Sequence, residues 1–283
     1  MFDELFFTYQ NLIYAVGING LLALAMYVVL SVGQLSLGQA AFAGLGAYSG
    51  ALLSKLTALP FWLVLPGSTI VPVAFALAIG VPTLRLSGVY LAIATIGLGE
   101  VLRAVYLNAD DLLGTEIFGG PLGLSGIPVR AGAGLIYGVL AAAILMLWLV
   151  ARSGIGRAMA ATAEDELAAR VLGVRVARVR MGALLAAAVL AGLAGSLGAH
   201  VSSFIGPNDY GFQPAVAILS YALLGGIGSP LGPVLGALVL TLLPELLRGA
   251  ADLRGVFDGM IIVGVVLFLP RGLLAWRLAR RAA

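Results

Sequence analysis

The chain has 283 residues, 61% of them hydrophobic and only 10% charged, where soluble domains carry roughly 25% charged residues. Thirteen acids and sixteen bases cannot cover a water-soluble globule of this size, because charged side chains are rarely buried and so make up such a surface. A net charge of +3, with arginines gathered at the edges of apolar segments, argues against a nucleic-acid partner, and the absence of cysteine excludes disulfides and thiolate metal sites.

The chain starts Met1-Phe2-Asp3-Glu4, acidic and without the basic n-region of a cleavable signal, so the first apolar stretch reads as a retained span. Apolar runs bounded by charges or Pro/Gly breaks predict helices over 11–32, 36–54, 62–80, 87–107, 132–151, 181–204, 213–227, 231–249 and 256–273. The expected fold is an all-α integral membrane bundle of 8–10 transmembrane helices, nine as the working count, forming one domain over 1–283. Segments 36–54 and 213–227 are short or glycine-rich and are marked as broken or re-entrant.

Along that order, Ser36 and Gln39 follow Gly33-Gln34 with the S-x-x-Q spacing of a capping box at a helix start. Gly46 and Gly50, and later Gly228, Gly232 and Gly236, recur at spacings of four, a pattern of close helix packing. Glu100 and Arg103 are spaced i,i+3 inside a span, as are Glu245 and Arg248 in a later one; each pair reads as a local ion pair. His200 is the chain's one histidine, near the outer end of a helix, and is expected to make an interfacial hydrogen bond. Ser229-Pro230 repeats the helix-start pattern, serine as N-cap and proline at the first position. Broken helices whose N-termini face a cavity can hold a solute's carboxylate. Gln34, Ser36, Gln39 and Ser229 are therefore the candidate pathway residues, against the plainer reading that they only satisfy backbone ends in lipid.

Six arginines lie between Arg152 and Arg180, and Arg271, Arg277, Arg280 and Arg281 follow the last predicted span. The positive-inside rule places both regions, and so the C-terminus, in the cytoplasm. Within the 153–180 loop, Thr162 and Asp165 have capping-box spacing, Glu166 and Arg170 are i,i+4, and Gly173 suits a helix stop. Ala163, Leu167 and Val171 fall on one stripe, predicting a short amphipathic helix over 163–172. It either hugs the lipid surface or docks on a cytoplasmic partner.

The loop, with Arg157, Glu164, Asp165, Glu166, Leu167, Arg170 and Gly173, resembles the coupling loop of ATP-binding-cassette (ABC) importer permeases, and most of all the M-type permease of branched-chain amino acid importers. Gly33-Gln-Leu-Ser-Leu-Gly38-Gln-Ala-Ala-Phe42, Gly119-Gly-Pro-Leu-Gly-Leu-Ser125 and Leu224-Gly-Gly-Ile-Gly228-Ser-Pro-Leu-Gly232 resemble further stretches of that family in the same order, over about residues 11 to 275. The chain departs from the common pattern at Gln39, where many relatives carry histidine. The resemblance implies a multi-pass subunit of a bacterial inner membrane with no catalytic residue and no cofactor. It also implies two cytoplasmic ATPase subunits, a related H-type permease subunit, and a periplasmic or extracellular solute-binding protein. The solute expected is a branched-chain amino acid, with urea or short amides as the alternative. An ion-gradient-driven transporter is disfavoured because both span carboxylates have arginine neighbours. A membrane enzyme is disfavoured because no nucleophile or metal motif occurs.

Overall fold

The structure is a computed structural model that describes residues 2–246 other than 58, 85, 115, 116 and 129, with backbone alone considered at 2–8, 113 and 246. Eleven α-helices run through these residues: α1 (Phe2–Leu30), α2 (Gln39–Leu56), α3 (Phe61–Gly67), α4 (Ile70–Thr83), α5 (Gly88–Leu113), α6 (Ala133–Arg152), α7 (Gly154–Glu164), α8 (Glu166–Val171), α9 (Val176–Ser202), α10 (Phe212–Gly225) and α11 (Leu231–Leu246). The only pairing of strands among the described residues is a two-residue antiparallel rung, β1 (Leu124–Ser125) with β2 (Phe204–Ile205).

Eight of the nine expected helices have counterparts, and 256–273 lies outside the described residues. Five segments are long and apolar enough to cross a membrane: Tyr9–Leu30, Phe61–Thr83, Gly88–Leu112, Ala133–Arg152 and Val176–Ser202. α10 and α11 are shorter apolar helices. The chain is thus an all-α polytopic membrane protein. Helix breaks fall elsewhere than expected, however. α2 and α10 run unbroken, whereas the span Phe61–Thr83 is interrupted between Gly67 and Ile70. Pro66 lacks an N–H and Gly67 follows it, so the ladder lapses there; the Ser68 and Thr69 hydroxyls turn back to the carbonyls of Leu65 and Pro66 at 2.7 Å each.

The interior is built on α2, α9 and α1. Leu21, Leu24, Val28 and Val29 of α1 and Ala187, Ala188, Ala191 and Ala194 of α9 are all buried in one cluster with Phe42 and Ala43 of α2. Small residues let α2 and α9 touch backbone to backbone: a Cβ on Gly46 would fall on Gly192, and one on Gly195 on the main chain of Ala43. Gly232 and Gly236 serve the same purpose where α11 crosses α10, as a Cβ on either would meet Gly225. Gly228 does not belong to this seam, since a Cβ there meets nothing within 4 Å; it sits in the turn before α11, not on its packed face.

α3 to α6 form the less buried side, with Trp62, Ile70, Val89, Tyr90, Ile93, Leu145 and Met146 exposed. Exposed apolar side chains in this number fit a chain whose solvent is hydrocarbon. At the end of α6, the Arg152 guanidinium lies 3.6 Å from the centre of the Trp148 ring, an arrangement suited to the membrane–water boundary.

Candidate translocation and coupling sites

α1 ends at Leu30, and the chain turns through residues 31–38 before α2 begins. Gly33 carries a positive φ of 73° here, a conformation that glycine adopts without steric penalty. The turn is held by the Gln34 N–H on the Val29 carbonyl at 3.2 Å and the Leu37 N–H on Thr95 Oγ1 at 2.9 Å. Thr95, a buried hydroxyl of α5, also donates to the carbonyls of Leu91 and Ala92, so it ties the turn to α5.

Gln34, Ser36 and Gln39 are brought together on this turn and all are buried, Gln39 to 1% exposure. The expected Ser36–Gln39 capping box does not form. The Ser36 hydroxyl accepts from Gly38, two residues on, at 3.3 Å, which keeps 36–38 out of the helix and delays its start to Gln39. Gly38 supplies no side-chain cap. Oε1 of Gln34 and both amide atoms of Gln39 are buried without a hydrogen-bond partner. Met26, Leu37, Ala40, Ala92, Ala215, Ile218 and Ala222 form an apolar cluster joining α1, the turn, α2, α5 and α10.

Ser229 stands apart from these three, in the turn between α10 and α11. Its hydroxyl accepts from Leu231 N at 3.4 Å, so it caps α11 as expected, and the helix opens one residue after Pro230. Its neighbours Ile227 and Gly228 line a cavity of about 380 Å³ with Tyr27, Ser31, Ala163 and Glu164. The end of α1, the end of α6 and α7 all contribute to its lining.

The 153–180 loop differs from the expected single helix over 163–172. It contains two, α7 and α8, joined at Asp165. Thr162 is not the cap, because its hydroxyl donates to the Ala158 carbonyl within α7. Asp165 is the cap instead: its Oδ1 accepts from Leu167 N at 2.8 Å and Ala168 N at 3.1 Å. Gly173, with φ of 83°, ends the motif as expected. Its N–H reaches Arg170 O while Val174 N reaches Ala169 O. Glu166 pairs with Arg170, and also with Arg180 of α9 at 2.8 Å, a partner that sequence spacing could not reveal. With Ala169 turned inward and buried, Leu167, Val171 and Leu172 stand 72%, 87% and 79% exposed. Arg157 and Glu164 lie on α7, both exposed. Ala163, on the predicted stripe, faces the membrane body: a Cβ on Gly33 would lie 3.1 Å from the Ala163 Cα.

Elsewhere in the helices the hydroxyls of Tyr48, Tyr106 and Ser196 are also buried without a partner. Glu100 and Arg103 pair at 2.7 Å as expected, and they also grip the start of α10: Phe212 N donates to Glu100 at 2.9 Å, and Arg103 donates to Asn208 at 3.0 Å. Arg248, the expected partner of Glu245, lies outside the described residues. His200 is fully buried near the end of α9, with ring nitrogens 2.6 Å from Ser54 Oγ and 2.7 Å from Ser196 O, binding α9 to α2. Tyr48 and Tyr106 stack at 4.3 Å with Tyr210 edge-on, a cluster missed in the sequence because its members are remote from each other along the chain. Among the described residues no group of His, Asp or Glu could hold a metal ion.

The chain is thus a polytopic membrane bundle with buried polar groups at the turn between α1 and α2 and an exposed apolar ridge on a loop helix. The family model of the branched-chain amino acid transport system permease component matches residues 8–268, and the chain belongs to that family. It is 34% identical to the high-affinity branched-chain amino acid transport system permease protein LivM of Salmonella typhimurium over 90% of this chain and 67% of that one, and equally to LivM of Escherichia coli K12. The autoinducer 2 import system permease protein LsrC of Salmonella typhi is 35% identical over 62% of this chain and 53% of its own. No solved structure matches the chain. Its relatives are permease subunits of transport systems, not enzymes.

Proposed function

We propose that the chain is the membrane-spanning permease subunit of an ABC importer for branched-chain amino acids in a bacterial plasma membrane, with a cytoplasmic C-terminus. It works with two cytoplasmic ATPase subunits, an H-type permease subunit and a solute-binding protein outside the membrane. The observation that carries this reading is the ridge of Leu167, Val171 and Leu172, exposed on a helix that is nonetheless firmly capped and salt-bridged. A short helix presenting apolar side chains to water is a knob for a partner's groove. Arg157, Glu164, Asp165, Glu166, Leu167, Arg170 and Gly173 form this coupling element, and Gln34, Ser36, Gln39 and Ser229 line the solute's path. ATP-driven movement of the ATPases pushes α7 and α8, and the contact of Ala163 with Gly33 passes that movement to the turn holding Gln34 and Ser36.

The test is affinity purification of the tagged chain from its native membrane in mild detergent, with co-purifying proteins identified by mass spectrometry. Recovery of two ATPases and a second permease is the expected result. A folded chain recovered alone rejects the importer in favour of a gradient-driven transporter. The ligand of the associated binding protein decides between a branched-chain amino acid and urea or a short amide.

A further inference from the structure

The start of α2 gathers unmet hydrogen-bonding capacity in one place. The N–H groups of Gln39, Ala40 and Ala41 find no acceptor among the described residues; the first contact of this helix's backbone with the preceding turn is Phe42 N on Gly38 O at 3.0 Å. The side chain of Gln39, the first residue of the helix, and that of Gln34, five residues earlier on the turn, add Nε2 and Oε1 of Gln39 and Oε1 of Gln34, all buried and unpartnered. The nearby hydroxyls do not help, since Ser36 serves Gly38 and Thr95 serves Leu37. By contrast, the exposed start of α8 is capped by Asp165 twice over. Buried polar groups in folded proteins nearly always find partners, and membrane interiors supply no water to replace them. An uncapped helix N-terminus favours an anion. Here it stands with two amide oxygens on the same turn, which favour a cation. That pairing of donors and acceptors is complementary to the two charged ends of an amino acid.

We infer that the N-terminus of α2 is an occluded subsite for a zwitterionic amino acid. The N–H groups of residues 39–41 and Nε2 of Gln39 receive its carboxylate, and Oε1 of Gln34 and of Gln39 receive its ammonium. The inference rests on the reading of the chain as an amino-acid permease. The lid over the subsite is the packing of Leu37 and Ala40 against Ala92 of α5 and Ala215, Ile218 and Ala222 of α10. These side chains are apolar, and the hydrogen bond that spans the contact with α5 is the one from Leu37 N to Thr95 Oγ1. Because Gly33 abuts Ala163, the turn that carries Gln34 opens in step with the coupling loop.

The experiment uses the complete importer in lipid vesicles, with ATP inside and leucine as the transported probe. Gln39→Met keeps the length of the side chain and removes its amide. It is expected to lower leucine uptake tenfold or more while assembly with the ATPases persists and the thermal midpoint holds or rises. Uptake at the parent rate overturns the subsite. A second variant, Ala40→Cys, reads access directly, since the chain has no cysteine of its own. Labelling is expected only during ATP turnover, faster with an anionic sulfonatoethyl thiosulfonate than with a cationic trimethylammonioethyl one, and slowed by leucine. Equal rates for the two reagents, or labelling indifferent to ATP, also overturns it. If the parent importer moves no amino acid at all, the transport reading falls and takes the subsite with it. An active parent with an indifferent Gln39→Met removes the subsite alone.

Discussion

Gly195 shows how little clearance the interior leaves. A methyl group there would sit 2.7 Å from the carbonyl carbon of Ala43, which is main chain and cannot swing aside. Gly195→Ala must therefore wedge α2 from α9, and it is expected to cost about 1–3 kcal/mol, read as a lower thermal midpoint of the purified chain in detergent. At Ser54 the danger is a gap in bonding instead of a clash. Ser54→Ala leaves a ring nitrogen of the fully buried His200 without its partner, at about 1–3 kcal/mol in the same assay, whereas Ser202→Ala at the exposed end of α9 should be near neutral. These residue-level roles were only partly legible in the sequence. Spacing of four exposed Gly46, Gly232 and Gly236 as packing positions, because that periodicity puts them on one helix face. It misled at Gly228, whose place in a turn depends on where α11 starts. Gln39 was legible as a capping-box partner of Ser36 and a candidate pathway residue, but its unpartnered amide was not, since that depends on how other helices pack around it.

At the scale of elements, α7 and α8 show why boundaries are harder to read than helices themselves. The T-x-x-D spacing of Thr162 and Asp165 suits a capping box, but Asp165 caps more strongly because its carboxylate reaches two N–H groups, so the helix starts three residues later. Asp165→Ala is expected to lower the stability of α8 by about 1 kcal/mol, seen as faster proteolysis in the loop with the transmembrane body intact. Leu167→Asp with Val171→Asp alters side chains that touch little of this chain. The double variant should insert and fold as the parent does, yet lose its ATPases on purification; retained ATPases would remove the ridge from the coupling element. Charge reversal at Glu164 is expected to lower solute moved per ATP hydrolysed. Reversal at Glu166 is a poorer probe, since it also strands Arg180, whose side chain is only 12% exposed.

Across the whole molecule, burial is uneven in a way that assigns work to its parts. α1 and α9 are the most enclosed spans, and α5 and α6 the least. The enclosed helices and α2 share the largest buried cluster, while α5 and α10 meet the α1–α2 turn through apolar side chains and one threonine hydroxyl. The fold class was legible from composition alone, because hydrocarbon as solvent removes the need for a charged surface. The break after Gly67 was not, as Pro66, Gly67, Ser68 and Thr69 are flanked on both sides by apolar runs that read together as one span.

The seam between α2 and α9 also sets an order on how the protein is made. α2 is not among the helices apolar enough to qualify as spans, and it carries Gln39, Ser54 and Lys55. The helix that shields it ends about 146 residues later, at Ser202, which at roughly 5–20 residues per second is about seven to thirty seconds of synthesis. For that interval α2 has no partner to cover Gly46 and Ser54, so the ribosome-bound chain depends on its insertion machinery to shelter a helix that lipid alone would hold poorly.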